Sequence, residues 1–226
     1  MMEFEPETTF FCSDPHSFHT NILKYSKRYS CMTDSDRELF EAHFFTHDMQ
    51  GSPGDPHFDR KIVSDFKFTP ESNAKMNRVM IDNINRRVQK SDTLWCLGDW
   101  SFGGKKSYYA NSKWFRDQLD CQNIYLVRGN HDRDEIFDLF KGTYEQIIIR
   151  VGSQKLILNH FPLITWAGAS LHLHGHVHNL FANTDFHPLR KPQAYRGIDV
   201  GFDAHDMQVW SMKEINAEMK KRGIVL

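Results

Sequence analysis

The chain has 226 residues, 40% of them hydrophobic and 25% charged, with a formal net charge of −1, the make-up of one sizeable soluble domain. A domain of that length buries roughly 70% of its unfolded surface, so it needs no disulfide or metal merely to fold. The balanced charge excludes a broad basic footprint for nucleic acid, and no apolar run is long enough to span a membrane. The cysteines at 12, 31, 96 and 121 form no CxxC pair, and Cys12 and Cys96 sit in apolar runs that predict free buried thiols. The acidic start, Met1 to Pro6, lacks the apolar core of a signal peptide, which points to the cytoplasm.

In chain order, Thr9–Cys12 reads as a buried strand running into Ser13-Asp14. Residues 31–70 follow, with three histidines (43, 47, 57), a Gly/Pro-rich centre and little periodicity; they read as an insertion, functional or poorly ordered. Pro70 then opens a helix at its favoured first-turn position, with Met76, Val79, Met80, Ile84 and Val88 recurring on one face. A second strand, Thr93–Leu97, leads into Gly98-Asp99, and a helix is predicted over Lys105–Leu119. Ile124–Val127 leads into Arg128-Gly129-Asn130-His131-Asp132, and a short helix over Asp134–Lys141 should stop at Gly142. Leu156–Leu158 leads into Asn159-His160. In Leu171-His172-Leu173-His174 one strand face carries both histidines, and Gly175-His176-Val177-His178 follows. Ser211 and Glu214 form a capping box for a last helix through Ile215 and Met219 to Gly223.

The recurring design is a core strand that ends on a ligand-type residue, often just after a glycine that lets backbone approach closely. Asp14, His16, Asp99, Asn130, His160, His176 and His178 offer carboxylate oxygen, amide oxygen and imidazole nitrogen, with no thiolate. That mixture suits manganese, iron, zinc or nickel rather than a structural zinc site. Seven ligands are too many for one tetrahedral ion; they suit two ions roughly 3.5–4 Å apart bridged by a carboxylate, an arrangement that serves phosphoester hydrolysis.

Taken together, Asp14-x-His16, Gly98-Asp99, Gly129-Asn130-His131-Asp132, His160 and Gly175-His176-x-His178 resemble the calcineurin-like metallophosphoesterase superfamily, in the family's order and across most of the chain. The similarity is greater still to its small bacterial and phage branch, through His19-x-Asn21-Ile22, Ser101-Phe102-Gly103 and Asp199-Val200-Gly201-x-Asp203-Ala204-His205. The resemblance implies an α/β fold of two packed mixed β-sheets flanked by helices, a four-layer α/β/β/α sandwich, here as one domain over 1–226 with an insertion or lid at 31–70. It implies two divalent transition-metal ions. Asp14, His16 and His178 would hold the first, Asn130, His160 and His176 the second, and Asp99 would bridge them. A bridging hydroxide would be the nucleophile, and His131 would stabilise or protonate the leaving oxygen. Phe18 departs from the pattern, standing where the small branch often has glycine.

Other histidines read more simply. His174 should be buried and hydrogen-bonded; His43, His47 and His57 should be solvated loop residues; His172, His187 and His205 have no assigned role. Asp132 could orient His131 or cap its loop. His19, Arg128, Trp166 and Asp203 neighbour the motifs and are candidates for substrate contact, His19 and Arg128 foremost. The expected partner is a small phosphoester, preferably a diester, with no membrane. A nuclease acting on DNA or RNA is the alternative within catalysis, and a non-catalytic interaction module on the same fold is the alternative outside it. Oligomeric state is not readable from the pattern.

Overall fold

The computed structural model describes residues 1–26, 28–46, 65–179 and 195–224. Its strands form two five-stranded sheets. One has the order β10-β2-β3-β4-β5, built from Trp210–Ser211, Thr9–Cys12, Thr93–Cys96, Asn123–Val127 and Gly142–Tyr144. The other has the order β1-β6-β7-β8-β9, built from Met2–Phe4, Gln146–Val151, Gln154–Asn159, Leu171–His174 and Gly197–Asp199. Both are mixed: β10 runs antiparallel to β2 and β6 antiparallel to β7, while every other neighbour pair is parallel.

The central strands of the first sheet, β2, β3 and β4, are largely buried on both faces, which is why they read as continuous apolar runs rather than alternating ones. Period-2 geometry divides them. Phe10, Cys12, Leu94, Cys96, Ile124 and Leu126 pack with Met76, Met80 and Ile84 of one helix and Phe115 of another. Phe11, Trp95, Leu97 and Val127 point the other way, against Ile149, Leu156, Leu158 and Leu173 of the second sheet. Trp95 stacks on Tyr125 with ring centroids 4.6 Å apart, a contact worth about 1 kcal/mol beyond its buried area. The two mixed sheets flanked by helices are the architecture the sequence implied. All four cysteines are free and buried.

Among the described residues the α-helices are α1 (Ile22–Tyr25), α2 (Asp34–Thr46), α3 (Pro70–Arg87), α4 (Tyr108–Asp117) and α5 (Met212–Lys221). Pro70 opens α3 as expected, and Met76, Met80, Ile81 and Ile84 form its buried stripe. The capping box of α5 is present, with Glu214 N–H donating to Ser211 Oγ at 3.3 Å and Ser211 N–H donating to Glu214 Oε2 at 2.8 Å.

Three expectations change. Helix α4 begins at Tyr108 rather than Lys105, because residues 105–107 form a turn closed by Ser107 N–H on Gly104 O at 3.1 Å. The stretch expected to be a helix over Asp134–Lys141 is a 3-10 turn over Asp134–Leu139, and Gly142 starts β5 instead of capping a helix. Six residues make a poor nucleus for an α-helix, and pairing with β4 takes the chain over. Within 31–70, Asp34–Thr46 is helical despite its weak periodicity. Asp36 N–H donates to Thr33 Oγ1 at 3.2 Å, a cap at the helix start, and acids in the first turn complement the helix dipole. Phe40 is buried against Phe66 and Phe68, with ring centroids 5.2 and 5.3 Å away. His43 is therefore a helical residue 5.5 Å from the Phe66 ring, not a loop histidine. His47, His57 and His187 lie outside the described residues.

Candidate metal centre

Parallel pairing gathers the ligand-type residues. Cys12 pairs with Cys96 and Cys96 with Leu126, so the carboxyl ends of β2, β3 and β4 lie side by side, and Asp14, Asp99 and Asn130 follow them directly. In the second sheet β7 and β8 are parallel, so His160 and His176 leave the same edge. The two edges are joined through backbone: Phe202 N–H donates to Ser13 O at 3.1 Å, and His176 N–H donates to Asp14 Oδ2 at 2.9 Å. Close approach requires glycine. A Cβ on Gly98, which has φ of 101°, would lie 2.6 Å from Gly129 Cα and from His160 Nδ1. One on Gly175 would meet Ser13 Oγ and Asp14 Oδ2.

Asp14, His16, Asp99, His176 and His178 have φ between 47° and 70°, the left-handed region that non-glycine residues seldom occupy. Such strain persists only where surrounding structure enforces it, and it concentrates at working sites. Phe18 shares the conformation, with φ of 64°, a region that glycine enters at no steric cost; its ring lies 5.3 Å from Trp114 in edge contact.

Among the described residues two overlapping sets could hold cations: Asp14, His16 and His178, and Asp14, Asp99 and His160. Asp99 Oδ2 lies 3.4 Å from His16 Nε2 and 3.5 Å from His160 Nε2, while Asp99 Oδ1 accepts His131 N–H at 2.9 Å. Asp14 Oδ1 is 3.7 Å from His16 Nε2 and 3.8 Å from His178 Nε2. Asp14 Oδ1 and both ring nitrogens of His16 are buried with no hydrogen-bond partner. His160 Nδ1 donates to Leu97 O at 2.7 Å, and its Nε2 lies 3.0 Å from Asn130 Oδ1. The buried, unpartnered Asp14 Oδ1 and His16 Nε2 could be satisfied by a cation, and the donor set fits divalent transition ions.

Electrostatics agree. Burial first, then His178 and Arg28, push His16 well below its ordinary value, leaving a neutral imidazole. Burial, with Asp14 adding to it, raises Asp99 to about 6 despite His160. His178 moves the other way: burial would lower it, but its hydrogen bond to Asp203 and the nearby Asp14 and Asp203 charges together outweigh that and raise it. Nδ1 of His178 donates to Asp203 Oδ2 at 2.7 Å, leaving Nε2 aimed at Asp14. His176 stands at the rim, its ring 5.1 Å from that of His160. His131 is exposed, its ring 5.5 Å from that of His16.

The remaining candidates separate. His19 stacks on Phe102 with centroids 4.0 Å apart and lies 5.3 Å from His16, so it borders the site. Arg128 pairs with Asp134 and Glu145 at 3.0 and 3.2 Å and lies over Phe137. Trp166 packs on His172 and Tyr195 and donates to Ser170 O, away from the ligand edge. His172 is satisfied and neutral, Nδ1 on Ile157 O and Nε2 accepting Leu163 N–H. His174 is buried with Nδ1 donating to Gly175 O at 3.1 Å, as expected. Asp132 caps its loop: it accepts N–H groups from Asp99, Trp100 and Gly129, each at 2.9 Å.

Asp203 is not at the surface. It is buried in an ion pair with Arg28, which reasoning from the sequence missed. Arg28 Nε and Nη2 donate to Asp203 at 2.7 and 2.9 Å, and its remaining donors reach Asp14 O at 2.7 Å and Pro15 O at 2.9 Å. No local pattern marks Arg28, because its partner is 175 residues away.

Comparison with known proteins closes the question of family. The model of the calcineurin-like phosphoesterases matches residues 8–211. The chain belongs to the calcineurin-like phosphoesterase family. It is similar to an uncharacterised protein of Methanocaldococcus jannaschii, 28% identical over 144 residues that cover 61% of this chain and 74% of that one. Among solved structures, a protein of unknown function from Aquifex aeolicus shares its fold, with a TM-score of 0.56 at 18% identity, covering 93% of this chain and 98% of the other. A phosphoesterase from E. coli is a more distant match, with a TM-score of 0.35 at 17% identity, over 75% of this chain and 69% of its own. As a calcineurin-like phosphoesterase the chain is a metal-dependent hydrolase of phosphoester bonds. No helix among the described residues is long and apolar enough to cross a membrane.

Proposed function

We propose that this calcineurin-like phosphoesterase hydrolyses a small phosphodiester at a site for two divalent transition-metal ions. In this reading Asp14, His16 and His178 would hold one ion and Asn130, His160 and His176 the other, with Asp99 Oδ2 available to both. The observation that carries it is the position of that oxygen, 3.4 Å from one imidazole nitrogen and 3.5 Å from another on a different strand end. When bound, the ions would activate water and offset the charge growing on the phosphoryl oxygens. The side chains do the rest. Asp203 holds His178 in the tautomer that frees Nε2, and Leu97 O does the same for His160. Asp99 Oδ1 anchors the His131 backbone, and the exposed His131 ring is free to give a proton to the leaving oxygen. The chain works as one domain, with residues 31–70 as an insertion.

The experiment is hydrolysis of bis-p-nitrophenyl phosphate and of p-nitrophenyl phosphate by metal-stripped protein with manganese, nickel, zinc or magnesium restored. Metal-dependent turnover, faster on the diester, is expected. Two bound ions with turnover of neither ester would refute the reading, and preference for the monoester would refute its diester part.

A further inference from the structure

Exposed single phenylalanines are ordinary, but two of them here stand against two different pairs of site histidines. Phe102, 37% exposed, has one face stacked on His19 at 4.0 Å and lies 6.1 Å from the His131 ring. Phe161, 44% exposed, lies 4.7 Å from the His176 ring and 4.9 Å from the His160 ring. Neither is on a loose loop. Phe102 N–H donates to Ser17 O at 2.8 Å and its carbonyl accepts Asn111 Nδ2 at 2.9 Å; Phe161 N–H donates to Asn159 Oδ1 at 2.8 Å. The backbone thus holds two rings rigidly at the borders of a polar, cation-binding centre. A charged phosphoryl group has no use for them, whereas the organic groups attached to it do.

We infer that Phe102 and Phe161 are specificity residues that stack on planar aromatic groups of the substrate, one on each side of the phosphorus. This rests on the diesterase reading. Phe102, beside His131, takes the leaving group, whose oxygen receives the proton. Phe161, beside His160 and His176, takes the group that stays on phosphorus. The shared chemistry is an aromatic π face, presented by an aryl ester or by a nucleobase. Stacking of a base on an aromatic side chain changes affinity by about tenfold or more.

The test compares p-nitrophenyl esters that share a leaving group and differ in the group retained: methyl, phenyl or thymidine-5′. The wild-type enzyme, loaded with manganese, should prefer phenyl or thymidine over methyl by about tenfold in kcat/KM. Preference for both, or for one alone, tells which source of aromatic ring the site accepts. Phe161→Ala should collapse that preference, Phe161→Trp should keep it, and Phe102→Ala should leave the ratio standing while raising KM for every p-nitrophenyl ester. Calorimetric binding of phenylphosphonate against methylphosphonate gives a readout free of turnover, and its phenyl advantage should vanish in the Phe102→Ala, Phe161→Ala double variant. Hydrolysis with equal rates for methyl and aromatic esters, or a preference that survives Phe161→Ala, would overturn the inference alone. No hydrolysis of any ester would overturn the diesterase reading together with it.

Discussion

Replacing Asp203 with Asn removes one charge and one acceptor from a buried cluster. The carboxylate accepts three hydrogen bonds: Arg28 Nε on Oδ1 at 2.7 Å, and Arg28 Nη2 and His178 Nδ1 on Oδ2 at 2.9 and 2.7 Å. Burial alone would raise its pKa, but Arg28 and His178 outweigh that and hold it well below the usual carboxylate range. An amide has one acceptor oxygen, so its NH2 must face either Arg28 Nε or the His178 ring, donor against donor. Arg28 remains buried and uncompensated, and breaking such a pair costs about 3–5 kcal/mol. Urea unfolding of the metal-free variant should show that loss. Freed from Asp203, His178 also loses the bond that fixes its tautomer, and cation affinity should fall about 10- to 100-fold in a calorimetric titration. The double variant Arg28→Met, Asp203→Leu separates the two roles. Apolar groups of similar volume can replace a buried pair at little cost, so stability should largely return, while cation affinity should not. Unchanged affinity in Asp203→Asn, or affinity that returns with stability in the double variant, would refute the idea that Asp203 acts through His178.

Further outcomes follow from other contacts. His131→Ala should lower kcat by about 10²–10⁴ with two ions still bound, and undiminished turnover would remove it as the acid. Gly175→Ala would drive a methyl into Ser13 and Asp14, costing about 2–4 kcal/mol and weakening cation binding; normal thermal stability would contradict the contact. Asp36 joins α2 to α3 by accepting Thr69 N–H at 2.9 Å, Thr69 Oγ1 at 2.7 Å and Ser72 Oγ at 2.6 Å, and Asp36→Ala should cost about 2–3 kcal/mol by urea unfolding. Burial would raise the Asp36 pKa, but those bonds prevail and lower it. Its contribution is therefore present above the ordinary carboxylate pKa and fades as pH falls through the depressed one. The gap between wild type and Asp36→Ala should be full at neutral pH and shrink in strong acid; a gap that grew on acidification would contradict this. Chelation should lower the midpoint of thermal unfolding, since ions that bind only the folded state stabilise it, and an unshifted midpoint would argue against tight binding.

The sequence by itself determined the strand ends and what they carry. Thr9–Cys12, Thr93–Leu97, Ile124–Val127 and Leu156–Leu158 are apolar because both faces of a central strand are buried, and a polar residue follows each run within two positions because the sheet ends there. Gly98 and Gly175 were legible for the same reason: only glycine permits the backbone approach that packs Asp99 against Gly129 and Asp14 against the 175–178 turn. Helix α3 and the capping box of α5 were legible because proline, serine and glutamate act within one helical turn. Helix α2 was not, since its stability comes from Phe40 on Phe66 and Phe68 and from Asp36 on the start of α3, contacts that its own pattern does not announce. Tertiary structure alone brought Arg28 to Asp203, placed Phe102 beside His131 and Phe161 beside His176, and sent Trp166 elsewhere. Local sequence encodes what neighbours along the chain can do for one another. A buried ion pair across 175 residues exists only once the two sheets have closed and water has left the space between them.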